Sequence, residues 1–206
     1  KKLLKGSLLL LFLLFSKLSL CKENITINVS DASYRPFNIA IPAFEENKQP
    51  MRKILYELTE FTGAFRVVKE KAYSGTPFPS KTKSSLKPWN SMGIEIILQL
   101  KILSKSDKKI RFDIKAVDII SGKDFIHKEY TVSDTWAFRE VLKTTLSRIE
   151  YYFTKNKGVF SNKIVLAGIK QKPKKGHSYP KQIFICDANG DNLKQITTGN
   201  AIHLSP

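Results

Sequence analysis

Residues 95–103, 110–119 and 125–130 are apolar-rich runs of strand length, separated only by the polar connectors 104–109 and 121–123. Connectors this short join antiparallel neighbours, because a parallel return needs a crossover of about a dozen residues. The spacing therefore predicts a β-meander. Upstream, Phe37, Ile39, Ile41 and Phe44 alternate with smaller or polar residues, which predicts a strand ending near Pro42, and residues 65–68 predict another. Between them the period changes. Met51, Ile54, Leu55, Leu58 and Phe61 fall at helical spacing after Pro50, a residue suited to a first helical turn, and before Gly63, a natural stop. A second helix is expected over 135–153, capped by Asp134, with Phe138, Val141, Leu142, Ile149 and Phe153 on its apolar stripe and Arg139, Lys143 and Arg148 outside. Residues 73–91 are rich in Pro and Ser and hold no sustained apolar period, so they read as a surface loop with at most a short turn around Pro88 and Trp89. Two helices on one face of a mixed, mostly antiparallel sheet make an α+β architecture.

After Asn156 the pattern becomes all-β. Residues 163–169, 182–186 and 193–197 read as three strands at hairpin spacing, with a basic loop at 170–181 and a turn at 187–191. With no helix signal to cover them, these strands are expected to form a sheet with one unburied face, the opening of a repeat architecture whose units bury a core only against their neighbours.

The N-terminus is of another kind. Lys1, Lys2 and Lys5 precede the unbroken apolar run 8–15, and Ser19 and Cys21 occupy the minus three and minus one positions of a cleavage site. That is the layout of a secretory signal over 1–21, and the run is less than half of the ~20 apolar residues a spanning helix needs. A lipoprotein signal is the alternative, since Cys21 follows an apolar stretch, although bulky Leu20 stands where that signal wants a small residue. Whether Cys21 is cleaved off or lipidated stays open. Residues 25–29 (Ile-Thr-Ile-Asn-Val) then alternate with period two and read as a short strand or extended arm before the Arg35-Pro36 barrier.

Composition enters as a correction to first impressions. Lys+Arg 35 against Asp+Glu 18 gives a net charge of +17, large enough to raise nucleic acid, anionic membrane or an acidic protein as partner. Four lysines leave with the signal, so 31 basic residues face 18 acidic ones, +13, and residues 155–206 alone hold nine Lys against Asp187 and Asp191, +7 of that excess. In an exported protein such charge more often meets lipid, wall polymers or acidic protein than nucleic acid. Two cysteines, of which only Cys186 lies beyond the signal, leave stability to packing rather than to crosslinks.

The candidate chemistry is sparse. Asp187, Asn189 and Asp191 have the spacing of a calcium loop, but Asn192 stands where that loop needs Gly and Thr198 replaces its bidentate Glu, so a hairpin turn is the better reading. No Ser sits in a Gly-x-Ser-x-Gly elbow, and His127, His177 and His203 have no carboxylate at a useful sequence spacing. His127 reads as a structural or surface residue, and the basic loop 170–181 as solvated rather than phosphate-gripping. No catalytic residue, metal site or cofactor is expected.

Taken in order, residues 27–41 (Ile-Asn-Val-Ser-Asp-Ala-Ser-Tyr-Arg-Pro-Phe-Asn-Ile-Ala-Ile), the Trp89-x-x-Met-Gly-Ile94 junction, the Asp118-x-x-Ser-Gly122 turn and the strand-turn-strand 182–197 resemble the TolB family of the Tol-Pal envelope system. The resemblance implies a signal peptide at 1–21, an N-terminal α/β domain at 22–156 and, at 157–206, the first strands of an incomplete β-propeller, about one blade, with further blades to follow. It implies a non-enzymatic periplasmic adaptor that links TolA to the lipoprotein Pal and supports outer-membrane integrity and cell division, associated with the membrane through its partners and not binding nucleic acid. The family's TolA contact lies in the arm after the signal, which here maps to 22–33 and most directly to Glu23, Asn24, Ile25, Thr26, Ile27, Asn28, Val29 and Ser30. An alternating segment of this kind offers backbone groups to a partner's sheet edge, here the TolA C-terminal domain, or else completes its own domain's sheet. Pal binding belongs to a full propeller. The alternative is a fragment of another exported propeller protein, a hydrolase or a glycan-binding envelope protein.

Overall fold

The computed structural model describes residues 35–42, 49–80, 82–106, 108–169 and 180–199. The chain divides into Lys1–Tyr34 and Arg35–Pro206, and every described residue belongs to the second unit. The expected signal segment and arm, Phe44, and most of the basic loop lie outside the described residues.

The main sheet has five strands in the order β2-β1-β3-β4-β5. β1 (Phe37–Ala40) lies parallel to both β2 (Phe65–Val67) and β3 (Ile96–Ser106), whereas β3, β4 (Lys109–Asp118) and β5 (Asp124–Val132) run antiparallel as the predicted meander. Helix α1 (Gln49–Phe61) makes the crossover from β1 to β2, as a parallel pair requires. Gly63 ends this segment at φ +67°, a conformation that costs an L side chain, and its N–H donates to the Glu60 carbonyl at 3.1 Å. Helix α3 (Thr135–Thr154) begins as expected: Asp134 Oδ1 accepts from the Ala137 N–H at 2.8 Å.

Strand alternation divides the buried residues into two layers. Ile39, Leu98, Leu100, Phe112 and Ile114 turn to the face covered by α1 and α3, where Leu55, Leu58, Phe138, Leu142 and Leu146 meet them. Phe138 packs edge-on against Phe112 at 4.8 Å between ring centres. Ala40, Ile97 and Val117 face the opposite side. There the sequence expectation needs correction. A short 3-10 turn (Glu70–Ala72) precedes the stretch read as a loop, and that stretch contains a third helix, α2 (Lys83–Ser91), which puts Trp89 at 1% exposure into the second layer with Tyr73 and Ile94. Pro88 falls inside this helix and hid it. The bond that Pro88 removes is the one to the Ser84 carbonyl, in the first turn of the helix, where Ser84 is exposed to water. The two predicted helices do share one face; a third one covers part of the other.

A second, three-stranded antiparallel sheet follows, β6 (Lys163–Gly168), β7 (Gln182–Asp187) and β8 (Lys194–Gln195), in that order. β8 is shorter than the five residues the pattern suggested, because only Phe184 and Ile185 find partners across it. The chain reaches β6 through Gly158, which lies so close to α3 that a Cβ there would sit 2.7 Å from the Ser147 Cα and 2.9 Å from a Glu150 carboxylate oxygen. Gly158→Ala is therefore expected to cost about 1–3 kcal/mol and to lower Tm by several degrees in a thermal melt. A Tm equal to the parent's would mean that this junction yields freely.

Candidate partner-binding site

The eight residues proposed from sequence, Glu23 to Ser30, lie outside the described residues, so the site is approached from its root. The segment enters the fold at Arg35. Its guanidinium holds Glu95 with two parallel bonds, Nη1 to Oε2 at 2.9 Å and Nη2 to Oε1 at 2.8 Å. Glu95 also accepts the Asn38 backbone N–H at 3.1 Å, and Asn38 Nδ2 donates to the Gly93 carbonyl at 2.9 Å. Burial alone would raise the Glu95 carboxyl, yet the Arg35 and Asn38 donors outweigh it and hold it below the usual range. The clamp joins a residue two before β1 to the one just before β3.

A second polar cluster lies where α3 meets the β7–β8 turn. Lys143, placed outside by the helical pattern, is 4% exposed. Its ammonium donates to Asp187 Oδ2 at 2.9 Å and Asp191 Oδ2 at 3.4 Å and pairs with Glu140 one turn away. Lys163 binds the other Asp187 oxygen, Asn192 Nδ2 donates to Oδ2 at 2.8 Å, and Arg139 lies 3.6 Å from Asp191. Burial opposes ionisation of Asp187, but Lys163, Lys143 and Asn192 together hold its carboxyl down to about 2. The turn is the hairpin the sequence suggested: Gly190 N–H donates to Asp187 O, Asp187 N–H to Asp191 O, both at 2.8 Å. Positive φ falls on Gly190 and Asn192 rather than on Asn189. The carboxylates that mimic a calcium loop are spent on lysines. Beside this cluster opens a groove of about 490 Å³, with Arg148, Tyr151 and Phe160 in its wall.

In the second sheet β6 is exposed on both of its sides, Ile164 and Leu166 on one and Val165 on the other, whereas β7 is largely buried on both, so the exposure falls on this strand rather than on the single open face that the pattern suggests. Ile164, Val165, Leu166, Ile169, Leu193 and Ile196 are all exposed, and Leu166, Ile169, Phe184 and Leu193 line an apolar hollow of about 390 Å³. Cys186 is a buried free thiol. His127, to which sequence spacing assigned no carboxylate, stands exposed on β5 with Asp113 of β4 at 3.5 Å, a pair created by strand register. Among the described residues no helix is long and apolar enough to cross a membrane.

Residues 25–125 match the family model of the TolB amino-terminal domain. The Tol-Pal system protein TolB of Pelagibacter ubique (strain HTCC1062) is 25% identical over 146 residues, 70% of this chain and 31% of that protein. The crystal structure of TolB from Acinetobacter baumannii superposes with a TM-score of 0.55 at 15% identity, over 81% of this chain and 39% of that one. This chain therefore spans about a third of the length of the relatives it matches.

Proposed function

Because this chain is a TolB-like protein, related to the Tol-Pal system, we propose that it serves as a non-enzymatic periplasmic adaptor that engages TolA through residues 22–33 and connects it to Pal. The observation that carries the reading is the alternating segment 25–29, which in the sequence is separated by residues 30–34 from Arg35, the first residue of the Arg35–Glu95 clamp, within the span that matches the TolB amino-terminal domain. Backbone pairing supplies affinity, and Ile25, Ile27 and Val29, at alternate positions in the sequence, supply the apolar contact. In the same reading the domain runs over 22–156, and β6–β8 open the propeller through which Pal is bound, with the exposed apolar residues of that sheet meeting the next blade.

Deleting residues 22–33 is expected to abolish capture of the chain by an immobilised TolA C-terminal domain, with the thermal melt unchanged because the deletion ends before the clamp. Undiminished capture would sink the arm assignment.

A further inference from the structure

The edge of the main sheet carries an inference independent of the arm and of the adaptor reading. β5 pairs with β4 alone among the described residues, so one side of this nine-residue strand presents a row of backbone N–H and C=O groups outward. Along that edge β5 and the C-terminal half of α3 enclose a groove of about 380 Å³. Its floor is aromatic: Phe125 stacks on Tyr152 at 4.3 Å between ring centres and 11° between planes, and Tyr151 stands beside them with 55% of its surface exposed. Its charged lining consists of Lys128, Arg148 and Lys155, with no carboxylate among the described lining residues.

The strand's own acids are already engaged elsewhere. Asp124 pairs with Lys115 at 3.0 Å and Glu129 with Arg111, both on β4, and Asp113 faces His127. Lys128 lies 5.1 Å from the Tyr130 ring centre and Lys155 5.3 Å from that of Tyr152, so the cations rest on π faces rather than on anions. Charges that merely guarded an edge against aggregation would not need an aromatic floor or a one-sign lining. An added strand would set alternate side chains about 7 Å apart on the groove side, a spacing on which carboxylates can sit over successive cations. A nucleic acid can meet the cations and the rings, but it cannot continue the ladder.

We propose that β5 is the acceptor strand for an extended acidic peptide segment of a partner protein, which adds to the sheet edge and lays its carboxylates over Lys128, Arg148 and Lys155. The test uses the full chain and a fluorescein-labelled synthetic peptide of about nine residues alternating Glu and Val, followed by anisotropy at about 0.15 M salt. Saturable binding is expected, with slowed amide exchange over 124–132 and no binding of the matching Lys/Val peptide. The double variant Arg148→Glu/Lys155→Glu, both exposed positions whose circular dichroism should match the parent's, is expected to bind at least about tenfold more weakly. N-methylation of alternate peptide residues should weaken binding as much, because it removes the ladder donors and leaves the charge. Failure of the Glu/Val peptide to bind, equal binding by the charge-reversed variant or by the N-methylated peptide, or equal affinity for an oligothymidine of similar length would each overturn the proposal.

Discussion

Replacing Lys143 by methionine is expected to lower unfolding free energy by about 3 kcal/mol at pH 7, read as a shift of the urea midpoint at unchanged slope. Methionine keeps the volume of the stem and removes only the ammonium. Asp187, buried at the junction of α3 with the second sheet, then loses its 2.9 Å partner, and Asp191 its 3.4 Å one. Removing one member of a buried pair typically costs about 3–5 kcal/mol, and the lower figure applies because Asp187 retains Lys163 and Asn192 and Asp191 retains Asn189 at 2.8 Å. The pH dependence follows from the direction of each shift. The Asp187 carboxyl is held at about 2, below its unfolded value near 3.9, so its contribution is complete above about pH 5 and is lost as pH falls toward 2. Lys143 is raised, because hydrogen bonds and charge from Glu140 and Asp187 outweigh the burial that lowers it, so its contribution fades only in strong alkali. The gap between parent and variant should accordingly be flat through neutral pH and narrow on acidification. The double variant Lys143→Met/Asp187→Leu should recover part of the loss, because no buried charge is stranded. A gap under about 0.5 kcal/mol at pH 7 would show a cluster as weak as an exposed pair.

Trp89→Ala should be at least as damaging, about 3–5 kcal/mol, since it hollows out the smaller of the two layers. Trp89 fills the space between α2 and the sheet, its ring 5.5 Å from Tyr73 and its Nε1–H donating to the Pro77 carbonyl at 3.1 Å. That layer counts only seven described buried apolar residues, so few neighbours remain to collapse into the cavity. Trp89→Phe separates the two contributions: it keeps most of the packing and strands one carbonyl, for about 1–2 kcal/mol. Fluorescence gives an independent reading, because the chain has only two tryptophans and Trp136 is 58% exposed. Loss of Trp89 should leave a solvent-type, red-shifted spectrum. An unshifted spectrum would place Trp89 in water and remove α2 from the core.

The helix that Trp89 anchors marks one boundary of what the sequence discloses. In α2 a proline and six polar residues leave only two of nine positions apolar, and the amphipathic signal reduces to Leu86 and Trp89, three apart. Local propensity opposes that helix, and burial of one large side chain decides for it. The long meander is the opposite case: alternation over 96–118 and connectors too short for a crossover leave a single pairing, which the register between β3 and β4 follows apart from one bulge near Leu103. The candidate site divides the same way. Arg35 and Glu95 are 60 residues apart, and parallel pairing of β1 with β3 brings them together.

From the amino-acid sequence alone follow the period of each long element, the cap at Asp134, the stop at Gly63 and the antiparallel order of the meander, because these depend on neighbours within a few residues. Only the tertiary structure decided that α2 exists and on which face it lies, that Lys143 is buried, and that the acids of β5 are neutralised from β4. A helical wheel gives a lysine on the edge of an apolar stripe to solvent by default. Asp187, 44 residues later, takes it out of solvent, and a partner at that distance exists only once the chain has folded.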